Sequence, residues 1–177
     1  KAVELLRKNI DIFCQPANES ELINNGFTNV TSIENTFTWN GITFIKTNGK
    51  HGSGPILERM GIVSGFVLKS ENEPIIYWVG DSILCDDVKN TIIKYKPDII
   101  ITHSGGAVIP GFNPILMDDK ETLSLFNYNF NAKIIAIHTE SLDHCVITRD
   151  MILQSAISMN IDLSKLIIPK DGEIITL

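Results

Sequence analysis

Three short, nearly all-apolar runs, Ile75–Val79, Asp98–Thr102 and Lys133–Ile137, constrain this chain more than any other feature. They are too short for amphipathic helices and show no polar alternation. The last two therefore read as strands buried on both faces, the pattern of parallel strands covered by helices. The segments around them, Asp86–Tyr95 and Asp118–Tyr128, read as helices, and Asp118 with Glu121 fits a capping box. Thr148–Met159 reads as a further helix capped by Thr148. The first half has another pattern. Phe37–Trp39 and Ile42–Thr47 flank Asn40-Gly41, a pair suited to the two-residue hairpin turn, and Ile62–Leu68 pairs with Ile75–Val79 around a polar Ser70–Pro74 turn. Ahead of these lie the end of a helix (Ala2–Lys8), a strand (Ile10–Cys14), a helix opened by Pro16 and closed before Gly26, and a strand (Asn29–Ile33). Leu166–Ile168 and Glu173–Thr176 around Asp171-Gly172 read as a closing hairpin. The sum is an α/β (α+β) chain, with a mixed sheet or two packed sheets and helices outside. No repeat or linker divides residues 1–177, so one domain is expected.

The polar residues collect where strands end. Ile75–Val79 runs into Gly80-Asp81-Ser82, Ile99–Thr102 into His103-Ser104-Gly105-Gly106, Ile134–Ile137 into His138-Thr139-Glu140, and Ile42–Thr47 into Asn48-Gly49-Lys50-His51. All four histidines, His51, His103, His138 and His144, lie in these loops or just beyond them. Strand ends at one edge are where α/β folds place their sites. Imidazoles with a carboxylate suit Zn²⁺, Fe or Mn, and an ion held there makes water a nucleophile near neutral pH. The same residues also read as ordinary loop histidines and a turn aspartate. His138 and His144, six apart, would face opposite ways on a helix and do not form a single-helix ligand pair. The Gly- and Pro-containing loop Gly105–Met117 is expected to wall the pocket.

Composition narrows the class. With 44% hydrophobic and 20% charged residues the chain is neither disordered nor a disulfide mini-scaffold. No apolar run approaches the roughly 18 residues of a membrane span. A net charge of −6 gives no electrostatic reason to expect nucleic acid or an anionic membrane as partner. Cys14, Cys85 and Cys145 are scattered, with no CxxC pair, and read as free thiols in a reducing cytoplasm. Cys85 and Cys145 read either as thiolates or as small buried hydrophobes. Gly80-Asp81-Ser82 and Ser104-Gly105-Gly106 match neither a P-loop nor a dinucleotide fingerprint, which argues against a nucleotide-binding domain.

Four segments in order, Thr36-Phe-Thr-Trp-Asn-Gly-Ile-Thr-Phe44, Gly49-Lys-His-Gly-Ser-Gly54, Tyr77-Trp-Val-Gly-Asp-Ser82 and Ile137-His-Thr-Glu-Ser-Leu-Asp-His-Cys145, resemble the metallo-β-lactamase superfamily. The branch they are most similar to is that of bacterial metal-dependent hydrolases grouped with ascorbate-6-phosphate lactonase-like proteins. The resemblance implies a four-layer αββα sandwich. It implies a hydrolase using metal-activated hydroxide on a small ester, lactone or phosphoester. It places His51, Asp81 and His138 as metal ligands, with Asp81 bridging two ions and orienting the nucleophile. The metal would be zinc, or else manganese or iron. His144 falls where relatives often carry a histidine, and contacts substrate, relays a proton or makes a structural hydrogen bond. His103 falls where close relatives are expected to carry asparagine. The family's His-x-His-x-Asp-His motif does not occur here. Together with the Lys1 start, this makes the chain look like the C-terminal two-thirds of the fold, lacking its N-terminal strands and with an incomplete metal site. The remainder would come from a missing N-terminal segment or a second polypeptide, and strand exchange in a homodimer would also cover the open edge. The competing expectation is a degenerate, non-catalytic domain of the same fold acting in binding or assembly.

Overall fold

The computed structural model describes residues 2–140 and 142–177, so Ser141 of the His138 segment lies outside the described residues. The chain opens with α1 (Ala2–Leu5), β1 (Asp11–Cys14), α2 (Pro16–Asn24) and β2 (Asn29–Ser32). Next come four strands and a short helix: β3 (Thr36–Trp39), β4 (Ile42–Asn48), α3 (Ile56–Met60), β5 (Ser64–Lys69) and β6 (Ile76–Trp78). The second half alternates α4 (Asp86–Tyr95), β7 (Ile99–His103), α5 (Asp119–Ser124), β8 (Lys133–Ile137), α6 (Arg149–Ser158) and β9 (Leu166–Ile167).

Strands β3 to β9 form one seven-stranded sheet in sequence order. The pairs β3–β4, β4–β5 and β5–β6 are antiparallel, and β6–β7, β7–β8 and β8–β9 are parallel. The two sequence patterns thus meet in a single mixed sheet. The β3–β4 hairpin turns through Asn40 (φ 48°) and Gly41 (φ 81°), the positive-φ pair that matches strand twist.

The register lines up Ile45, Val67, Tyr77, Ile100, Ile134 and Leu166 in one row across six strands. Alternation puts the whole row on one face. There it packs on Val88 and Ile92 of α4, Leu123 of α5 and Ile152 and Ala156 of α6, forming the main core. The other face carries Phe44, which meets Phe13 of β1 at 5.1 Å between ring centroids; Phe13 also contacts Phe37 and Trp39. β1 pairs in parallel with β2 as a second, two-stranded sheet. The layers are helices, large sheet and small sheet, with α2 beside β2.

Several local expectations hold in detail. Thr148 Oγ1 accepts from the Met151 N–H at 3.2 Å, and Asp118 Oδ1 from the Glu121 N–H at 2.8 Å. Two expectations do not hold. Glu121 does not complete a capping box: its Oε2 accepts from the Leu84 N–H at 3.3 Å, tying α5 to the loop after β6. The helix also tightens into a 3₁₀ turn at Leu125–Asn127. The closing hairpin is absent as well. Leu166–Ile167 pairs with β8 instead, and residues 173–177 form no strand. Arg149 draws the chain aside, since its Nε donates to the Pro169 carbonyl and its guanidinium pairs with Asp171, so the Asp171-Gly172 turn leads away from the sheet.

Candidate metal centre

Strand direction creates the site. Two antiparallel steps, β4 to β5 and β5 to β6, restore the direction of β4, and β7 and β8 continue parallel to β6. The C-terminal ends of β4, β6, β7 and β8 therefore share one edge. The loops leaving that edge carry His51, Asp81, His103, and His138 with His144.

Asp81, His103 and His138 converge most closely. Each offers a donor atom, and these atoms lie within 4.8 Å of one another. Asp81 Oδ1 and His103 Nδ1 are hydrogen-bonded at 2.6 Å. Facing a carboxylate, Nδ1 carries the proton and donates it. The His103 ring is held between His138, at 4.9 Å between centroids, and Trp78, edge-on at 6.2 Å. The hydrogen bond from His103 is the first cause holding the Asp81 carboxyl below the usual carboxylate range, with the other histidines pulling the same way and burial opposing.

His51 and His144 lie outside this tight trio but line the same cavity of about 410 Å³ as Asp81 and His138. Burial pushes His51 below its ordinary value; Asp81 opposes, and the neighbouring histidines add to the lowering. Its loop is pinned to the Asp81 loop, because the Lys50 N–H donates to Ser82 Oγ at 2.9 Å and the Ile83 N–H to the Lys50 carbonyl at 2.9 Å. The loop 105–117 does wall the cavity, through Val108, Ile109, Pro110, Ile115 and Leu116.

The His138 loop is fixed from three sides. His138 itself takes φ 55°, uncommon for a residue with a Cβ. A Cβ on Gly105 would lie 2.3 Å from the His138 carbonyl oxygen and 2.8 Å from Cys145 Sγ, so only glycine lets the two loops approach this closely. Cys145 Sγ sits 3.7 Å from His138 Nδ1. Arg149 clamps Glu140 through its guanidinium and its backbone N–H. All three cysteines are buried and free, and burial pushes the Cys145 thiol up. This supports the small-hydrophobe reading of Cys145 over the thiolate.

The structure brings the expected His51, Asp81, His138 and His144 into one cavity, and against Asp81 and His138 it sets His103, which the sequence pattern alone ranks below them. The signal was present. His103 ends an apolar strand just as His138 does, and neighbouring parallel strands place their ends side by side. The imidazole and carboxylate donors match what zinc, iron or manganese accept. Three donors this close, two of them (Asp81 and His138) lining the cavity, fit an ion chemically.

No family model matches the chain. It is 30% identical over 174 residues to the UPF0173 protein YddR of Bacillus subtilis, covering 97% of this chain and 68% of YddR. Among solved structures it is similar to "a possible metal-dependent hydrolase" from Veillonella parvula, at 33% identity and TM-score 0.94, covering 99% of this chain and 70% of that one. It is also similar to isothiocyanate hydrolase from Delia radicum gut bacteria, at 28% identity and TM-score 0.93 with the same two coverages. At 11% identity and TM-score 0.60, over 85% of this chain and 58% of the other, the metallo-beta-lactamase fold protein YhfI of Bacillus subtilis shares the fold.

Proposed function

The chain belongs to the UPF0173 family and has the metallo-β-lactamase fold of metal-dependent hydrolases, and from that premise we propose that His51, Asp81 and His138, assisted by His103, hold a divalent ion for hydrolysis of a small electrophilic substrate. The observation that carries this reading is the convergence of Asp81, His103 and His138 to within 4.8 Å at the end of three parallel strands. An ion bound there supplies Lewis-acid activation of water. The protein's part is to hold Asp81 ionised and oriented through His103 and to fix His138 through its buttressed loop. His144, on the same cavity, contacts the substrate or passes a proton.

Zinc is the metal proposed, with manganese and iron as alternatives, since the donor chemistry suits all three. The described donors suffice for one ion. Among the described residues one group of donors converges closely enough for an ion, and a second ion would draw on another segment or a partner chain such as a second copy. Esters, lactones and phosphoesters are the substrate classes proposed from the fold, the ascorbate-6-phosphate lactonase-like branch among them. The isothiocyanate hydrolase neighbour adds heterocumulenes. Three free thiols support a reducing, cytoplasmic setting, and among the described residues no helix is long and apolar enough to cross a membrane.

Metal analysis of the purified intact protein together with Asp81→Ala tests this reading. The expected result is near-stoichiometric transition metal in the wild type and loss of both metal and hydrolysis in the variant. Metal-free protein with no hydrolysis would instead favour a non-catalytic binding or assembly domain, and full hydrolysis by Asp81→Ala would overturn the role given to Asp81.

A further inference from the structure

We propose that the site selects substrates whose non-reacting part is uncharged and apolar. This rests on the hydrolase reading above and narrows it to a substrate class. The cavity is divided chemically. Its histidines and Asp81 gather at the strand ends, whereas the rest of its described lining is hydrocarbon and thioether, from Met60, Val108, Ile109, Leu116 and Leu142 among others. Among the described residues that line it there is no Lys or Arg, and the whole chain carries −6.

The wall is a fixed surface. Ile115 and Leu116 of the wall belong, with Ile56, Ala107 and Cys145 behind them, to a second buried cluster against which Met60 and Ile109 pack. Backbone bonds from the Val108 N–H to the His144 carbonyl at 2.9 Å and from the Ile115 N–H to the Ala107 carbonyl at 2.8 Å hold the loop in this shape. A phosphate or carboxylate on the far end of a substrate would lose water against this wall and gain no cation from the residues that form it, an uncompensated burial of charge. An aliphatic or aromatic group in the same place loses only water that it orders poorly. Each methylene that the wall covers is worth about a fourfold gain in affinity. A cation held by Asp81 and the histidines acts on the reacting centre and does nothing for a charge at the distal end. The wall therefore disfavours lactones and esters that carry a distal phosphate. It favours alkyl or aryl esters, lactones and isothiocyanates.

The test uses the metal-loaded intact protein and two matched series, n-alkyl isothiocyanates and alkyl-substituted lactones, each against analogues ending in carboxylate or phosphate. Equilibrium binding of the corresponding unreactive amides is measured in parallel, so that the ordering is read independently of turnover. The expected result is a rise in kcat/KM and in affinity of about fourfold per methylene over the first few carbons, and at least a roughly tenfold preference over the charged analogues. Leu142→Lys, at a position 47% exposed and so tolerant of a charge, is expected to shift that preference toward the charged analogues. Equal or better hydrolysis and binding of the charged analogues by the metal-containing wild type would overturn this inference and leave the metal reading intact. Absence of metal with no hydrolysis of either series would overturn the underlying reading and this one with it.

Discussion

The antiparallel and parallel halves of the sheet do different work. From β3 to β6 the chain reverses at every step, through the Asn40-Gly41 turn, the longer segment that carries α3 and the Ser70–Pro74 turn, and successive strand ends fall on opposite edges. From β6 to β9 every strand runs the same way, so each end reaches the same edge and each helix returns across the core face. The parallel half accordingly delivers Asp81, His103 and His138 from three neighbouring strands. The antiparallel half contributes only His51, from β4, whose direction two reversals restore. A parallel sheet clusters functional groups by default. An antiparallel one does so at every second strand.

The largest effect expected from this comparison is on stability. Ile134 is fully buried mid-row in the parallel half, and Ile134→Ala is expected to cost about 2–5 kcal/mol in denaturant unfolding. Ile42→Ala, at a partly exposed place in the hairpin, is expected to cost under about 1.5 kcal/mol. Equal costs would break the distinction. Next comes His103→Leu, which removes the hydrogen bond to Asp81. The expected result is metal affinity weaker by about 10–100-fold in competition with a chromophoric chelator, partly restored by His103→Asn, which keeps a donor near Nδ1. Unchanged affinity in the leucine variant would show that the contact is incidental.

Gly41→Ala forces a Cβ into φ 81° and is expected to cost about 1–2 kcal/mol while leaving metal affinity unchanged. A parallel loss of metal would mean that the hairpin helps to shape the site. The smallest effect concerns Glu121. Burial, with Asp118 adding to it, raises its pKa above the ordinary value, while the Leu84 N–H opposes. The native state therefore binds more protons than the unfolded chain just above that ordinary value, and stability falls as pH rises through the raised one. Glu121→Gln keeps an acceptor for the Leu84 N–H and is expected to flatten that part of the stability-versus-pH curve. A curve that keeps its slope would assign the pH dependence to other groups.

Much of the scaffold is legible from local chemistry. Asn40-Gly41 has few alternatives to a tight hairpin, Thr148 and Asp118 are recognisable as helix caps, and the apolar runs 99–102 and 134–137 suit only buried strands. The closing hairpin at Asp171-Gly172 illustrates the limit. The turn signal is real, but Arg149, 22 residues upstream, takes Asp171 and the Pro169 carbonyl out of reach of any strand partner. Glu121 shows the same competition on a smaller scale, since a distant backbone N–H occupies the side chain that local spacing assigns to a cap.

The candidate site divides in the same way. Strand ends that run into His51, Asp81 and His138 are a property of the sequence, because apolar runs must stop where the chain returns to water. His103 ends a strand in the same way, but its contact with Asp81 and His138 is decided by tertiary structure. It requires β7 to lie between β6 and β8 and in parallel with both, and it requires Gly105 to let the two loops touch. Local residue chemistry is enough to set which segments fold as strands, which ends are polar and that imidazoles and a carboxylate are available. Strand order and direction decided which of those groups meet, because they depend on the packing of whole helices and sheets rather than on any residue's neighbours along the chain.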